Sequence, residues 1–126
     1  MIDQNTINEC KHRLLSAKAD LLNRFQSHLR AFRERESGGG DEADQTAALL
    51  QENQMHATQR RMRGQLLEIE SALARIYKGT YGICEETEEP IEADRLLAIP
   101  WTRLSIEGAE IRESGGQNGP KSGKPA

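Results

Sequence analysis

Apolar residues in the first third of the chain recur at helical spacing. One stripe runs through Cys10, Leu14, Ala17, Leu21, Phe25, His28 and Phe32, in steps of 4, 3, 4, 4, 3 and 4. Such steps keep the apolar positions on a single face of a helix. Leu15, Leu22 and Leu29 form a second row that widens the stripe, and no Pro or Gly interrupts residues 2–36. The pattern predicts one long helix, roughly 50 Å at about 1.5 Å per residue. Thr6-Ile7-Asn8-Glu9 has the capping-box form, with Thr6 as the expected N-cap.

Ser37-Gly38-Gly39-Gly40 ends this pattern. Consecutive glycines admit left-handed dihedrals and favour a chain reversal. Asp41 or Asp44 can cap a second helix, placing negative charge at its positive dipole end. That helix is expected to run to about Tyr77, stopped by Lys78 and Gly79. Its seam, Met62, Leu66, Ile69, Leu73 and Ile76, steps by 4, 3, 4 and 3, which is heptad spacing. Traced back through Gln59, Met55, Glu52 and Ala48 the seam weakens, with Leu49 and Leu50 as a local patch. Two helices of similar length joined by a short glycine loop fold back antiparallel.

Residues 80–113 differ in character. Thr80 to Cys84 is short and β-prone, Glu85 to Glu89 is a charged turn closed by Pro90, and Ile91 to Ile99 has helical spacing ended by Pro100. Thr102 to Glu113 reads as a last short helix, and the Gly/Pro-rich residues 114–126 as a disordered tail. The expected domains are a hairpin over 1–78 with its tip at 37–46, a small module over 79–113, and the tail. Candidate core residues of the module are Ile83, Ile91, Leu96, Leu97, Ile99, Trp101, Leu104, Ile106 and Ile111.

Composition supports a narrow seam over a thick core: the chain of 126 residues is 36% hydrophobic and 4% aromatic. Charge is uneven. Residues 79–113 hold three Arg against nine Asp/Glu, so this module repels phosphate backbones, and direct nucleic-acid binding is not expected. Two cysteines far apart make no disulfide framework and suit a reducing compartment. The first ten residues lack a signal-peptide apolar run, and no stretch reaches the ~18 apolar residues of a membrane span. A cytoplasmic protein is expected.

Few residues offer chemistry. Asp41 and Asp44 sit three apart and share a face in a first helical turn, where helix capping alone also accounts for them. Cys84-x-x-Thr87 followed by Ser105-x-x-Gly108 has the spacing of a C-x2-C…C-x2-C zinc site, but one thiolate does not make a four-ligand site. His28 and His56 lie near the seam with nothing to complete a ligand set. Arg60, Arg61 and Arg63 read first as a solvated face, with a partner or anion site as the rarer alternative. Phosphate loop, nucleophile elbow and His-Glu metal helix are all lacking. No enzyme is expected.

Together these residues resemble the DksA/TraR regulators of bacterial transcription. The likeness is strongest over Tyr81-Gly82-Ile83-Cys84-Glu85-Glu86 through Pro90-Ile91, Arg95-Leu96-Leu97-Ala98-Ile99-Pro100 and Ala109-Glu110-Ile111-Arg112-Glu113. In that family the four finger cysteines fall on Cys84, Thr87, Ser105 and Gly108. Its Asp-x-x-Asp-x-Ala tip reads here Asp41-Glu42-Ala43-Asp44-Gln45-Thr46.

The resemblance implies a mainly all-α fold: a long antiparallel two-helix coiled-coil hairpin plus a degenerate zinc-finger-like module with a short C-terminal helix. It further implies binding to RNA polymerase in the secondary channel through Asp41, Asp44 and Thr46, modulation of initiation, and no direct contact with DNA. Thr46 stands where the family has alanine. Arg61 keeps the charge of an alarmone-binding position, whereas Glu68 and Ala109 replace lysines, which weighs against ppGpp. The N-terminal globular segment of longer members is absent from the pattern. No cofactor is expected, and the apolar residues of the module are expected to stand in for zinc. The alternatives are a coiled-coil protein with another partner and, more remotely, a Gre-type transcript-cleavage factor.

Overall fold

The structure, a computed structural model, describes residues 2–36 and 42–117. Helices α1 (Gln4–Glu36), α2 (Glu42–Lys78), α3 (Ala93–Ala98) and α4 (Ile106–Gln117) follow in order. The described residues form no strand; Ile83 and Pro90 make an isolated antiparallel bridge where the β-prone run was expected. The chain forms two compact units, Leu15–Ile69, and Met1–Leu14 together with Glu70–Ala126.

In the unit Leu15–Ile69, α1 and α2 pack antiparallel. Leu21, Leu22 and Phe25 line a groove with Met62, Arg63 and Leu66. Further along α1, His28 and Phe32 meet residues earlier on α2, namely Gln51, Gln54, Met55 and Thr58. Leu21, Met55, Met62 and Ile69 are buried, as heptad spacing requires. Leu15 and Leu22, the second row, stay largely exposed, and Leu49 and Leu50 are about 60% exposed. The seam does thin out toward the start of α2.

The other unit buries Cys10, Leu14, Ala72, Tyr81, Cys84, Ile91 and Leu96. Two α1 residues and one α2 residue thus complete the core of the C-terminal module. The expected aliphatic cluster is only partly right. Ile91 and Leu96 are buried, but Ile83, Trp101, Ile106 and Ile111 are exposed, Trp101 at 37%. Tyr81 takes the place foreseen for Trp101. Its Oη donates to the Pro100 carbonyl at 2.7 Å, which satisfies the polar end of a buried ring. Burial, then a hydrogen bond with Cys10, pushes the phenol pKa up.

Local signals set the element ends. Asp3, not Thr6, caps α1: its Oδ1 accepts from the Thr6 N–H at 2.8 Å, and its carbonyl accepts from Ile7 at 3.2 Å. A carboxylate is the stronger acceptor at a positive helix end, and the hydrogen bonds from Thr6 hold the Asp3 pKa down. At the end of α2, Gly79 has φ +82°. Its N–H reaches the Ile76 carbonyl and that of Thr80 reaches Arg75, a Schellman closure. Helix α4 starts at Ile106 and not Thr102, because Ser105 provides the cap, and it continues past Glu113 to Gln117.

Candidate functional site

The four positions with zinc-ligand spacing converge. Cys84 opens a tight loop: its N–H donates to the Glu89 carbonyl, its carbonyl accepts from Glu88, both at 2.8 Å, and Glu88 takes φ +62°. The loop turns the Thr87 N–H back toward the Cys84 sulfur at 3.4 Å, and the Thr87 hydroxyl accepts from Glu89 at 3.3 Å. From the other side comes the start of α4. Ser105 Oγ accepts from the Gly108 N–H at 3.0 Å, and the Ser105 carbonyl accepts from Ala109 at 2.8 Å. Ser105 is thus an N-cap. Gly108 faces Cys84 so closely that a Cβ there would run into the sulfur.

Cys84 is wholly buried and Ser105 nearly so. Burial opposes ionisation of the thiol, but hydrogen bonds from the side chains and backbone of Ser105 and Thr87 outweigh it and hold the pKa down at about 6. This arrangement does not fit a structural zinc. The ion takes four ligands drawn from thiolate, imidazole and carboxylate. The cluster offers one thiol, two neutral hydroxyls and a glycine with no donor. No group of three or more His, Cys, Asp or Glu among the described residues is placed to hold a metal.

Charged side chains surround the cluster. Arg103 Nη1 donates to Glu85 Oε2 at 2.9 Å and Nη2 to Ser71 Oγ at 2.9 Å. Arg112 donates to Glu86 Oε1 through Nη2 at 2.9 Å and Nε at 3.2 Å. Arginine also secures the loops by their carbonyls: Arg13 to Leu97 and Arg95 to Leu104, both at 2.8 Å. Net charge alone hides these pairings; the sequence signal for the Arg95, Arg103 and Arg112 contacts is three arginines among nine carboxylates in residues 79–113.

Asp41 lies outside the described residues, and Asp44 is in the first turn of α2. Thr46 is exposed. Arg61 is also exposed, its Nη2 only 3.4 Å from the Thr58 hydroxyl on the same helix. Glu68 and Ala109 are half-buried. His28 and His56 are exposed, and His56 Nε2 lies 3.8 Å from Glu52 Oε2. No helix among the described residues is long and apolar enough to cross a membrane.

A helical hairpin joined to a four-position knuckle defines a narrow class of proteins. Residues 79–114 match the prokaryotic dksA/traR C4-type zinc finger. The chain is 32% identical to the RNA polymerase-binding transcription factor DksA of Caulobacter vibrioides, over 82% of this chain and 72% of that protein. It is 36% identical to an uncharacterized protein of Aquifex aeolicus, over 90% and 82% respectively. The solved structure of transcription factor DksA2 from Pseudomonas aeruginosa is similar with a TM-score of 0.83 and 31% identity, covering 91% of this chain and 88% of that one. The chain belongs to the DksA/TraR family.

Proposed function

We propose that the chain is a cytoplasmic transcription regulator that binds RNA polymerase in its secondary channel and modulates initiation through the tip of its hairpin. The observation that carries this reading is the match, over most of both chains, to a protein named for binding RNA polymerase. The agreement with the DksA2 fold supports it. Asp41 and Asp44 are the residues assigned to the tip contact, because carboxylates at a helix start can act on basic groups or a metal ion near the polymerase active centre. Thr46 beside them modifies that contact. Direct binding to DNA is not part of the function, given the acidic module. The carboxylate of Glu68 would repel a phosphate and Ala109 offers no charge, so ppGpp is not expected as a ligand.

The finger works without zinc on this reading. The hydrogen-bonded Cys84–Thr87–Ser105–Gly108 cluster lies where the metal would bind and lacks the ligands for it. Metal analysis of purified protein is expected to find far less than one zinc per chain, and a chelator is expected to leave the melting of the Trp101-containing unit unchanged.

Competition for core RNA polymerase against a known secondary-channel binder tests the main reading. The wild-type chain is expected to displace that binder. An Asp41→Asn/Asp44→Asn variant is expected to displace it as well while losing the effect on initiation. Failure of the wild type to displace it refutes the proposal.

A further inference from the structure

The loop 84–89 meets the rest of its unit through charge as well as through the buried cluster. Glu85 pairs with Arg103, whose other nitrogen reaches Ser71 on α2. Glu86 pairs with Arg112 on α4, and the same guanidinium lies 3.9 Å from Glu85. The Glu85 N–H donates to the Arg103 carbonyl at 2.9 Å. Two adjacent carboxylates on the loop are therefore tied to α4, to the segment before α4 and to α2. A four-ligand metal at positions 84, 87, 105 and 108 would join the same loop to α4 and to the segment before it; the tie to α2 through Ser71 is additional.

We propose that Glu85, Glu86, Arg103 and Arg112 form an ion-pair clasp that does the cross-linking work of a finger metal, and that the clasp makes closure of loop 84–89 over Cys84 sensitive to ionic strength. The inference rests on the metal-free reading above. Its physical basis is the exposure of the pairs. The side chains are between 30% and 50% exposed, so salt screens them, unlike the bonds of a metal to sulfur. A lone exposed pair contributes little, but the shared Arg112 makes this a network, the arrangement in which such pairs matter. Gly108 places the loop directly under α4, with Glu86 Cβ and Cys84 Sγ both against it. In the proposed clasp, parting Glu86 from Arg112 loosens the loop that holds Cys84 against Gly108.

The two cysteines make the experiment internally controlled. Both are wholly buried in the same unit, but Cys10 is on α1 with Tyr81 as its hydrogen-bond partner, whereas the clasp pairs join Glu85 and Glu86 to Arg103 and Arg112. The full chain is labelled with N-ethylmaleimide, an uncharged reagent, and each cysteine is followed by peptide mass spectrometry; zinc is measured on the same sample. Raising salt to about 1 M, where the screening length falls to about 3 Å, is expected to speed Cys84 labelling about fivefold, as loss of two weak pairs would. Cys10 labelling should hardly change. Arg112→Gln is expected to label Cys84 at low salt nearly as fast as wild type at high salt, and Arg24→Gln, which breaks an exposed pair with Asp20 on α1, to leave both rates alone. A zinc-free sample whose Cys84 rate ignores both salt and Arg112→Gln overturns the clasp. Equal acceleration of Cys84 and Cys10 also overturns it, since the unit then opens as a whole. One zinc per chain overturns the metal-free reading, and the clasp with it.

Discussion

Replacing Gly108 by alanine should destabilise the protein, although alanine is normally the better helix residue. Gly108 lies in the first turn of α4, and a Cβ there would overlap the Cys84 sulfur while standing 3.3 Å from Ser105 Oγ and 3.4 Å from Glu86 Cβ. The sulfur cannot easily give way, because Cys84 is wholly buried and its N–H is fixed to Glu89. Overpacking of this kind costs about 1–3 kcal/mol. Helix propensity returns at most about 1 kcal/mol. The net loss is about 1–2 kcal/mol, and at about 4–8 °C per kcal/mol it lowers the melting temperature by roughly 4–16 °C.

Trp101 is the sole tryptophan and lies in the same unit, so its fluorescence reports the relevant transition even if the two units melt separately. Gly64→Ala, in the other unit and so followed by far-UV circular dichroism, provides the comparison. This glycine is within α2 and a Cβ there meets nothing within 4 Å, so the same change should stabilise the helix by about 1 kcal/mol. In a Cys84→Ala background the sulfur is gone and Gly108→Ala should cost little. If Gly108→Ala stabilises the protein as Gly64→Ala does, or if its cost is unchanged without the sulfur, the contact between α4 and loop 84–89 is wrong.

Three further outcomes are expected. Tyr81→Phe leaves the Pro100 carbonyl without its donor in a buried setting and should cost about 1–3 kcal/mol, read by urea denaturation. Cys84 has a folded pKa lowered to about 6 against about 8.5 for a free thiol. Its ionisation therefore adds stability that is fully present above about pH 8.5 and is lost as pH falls through about 6; the stability difference between wild type and Cys84→Ala should shrink across that window on acidification. Asp3→Ala removes the acceptor for the Thr6 N–H, and faster amide exchange at Thr6 by NMR, with Thr80 unaffected, is the expected sign.

The hairpin was legible because its apolar period, its lack of internal Pro or Gly before residue 37 and its glycine turn all favour one answer. The end of α2 was equally plain, since Gly79 takes the left-handed position a Schellman closure needs. Thr6 and Trp101 misled for different reasons. Asp3 outcompetes Thr6 because charge strengthens the cap, which a motif of hydroxyl and glutamate does not weigh. Trp101 looked like core by size alone, but Tyr81 has a carbonyl to receive its hydroxyl and Trp101 is left at the surface. The ligand spacing located the Cys84 cluster, yet spacing says nothing of what replaces absent ligands. That depended on Ser105 becoming a helix cap and on the two loops closing to glycine distance.

The sharing of one core between residues far apart in sequence bears on synthesis. Cys10 and Leu14 leave the ribosome early but are buried with Tyr81, Cys84, Ile91 and Leu96. At about 5–20 residues per second, their partners arrive several seconds later. Until then Cys10 and Leu14 stay open to solvent, and the module's core closes only when this turn of α1 meets residues made some seventy positions later.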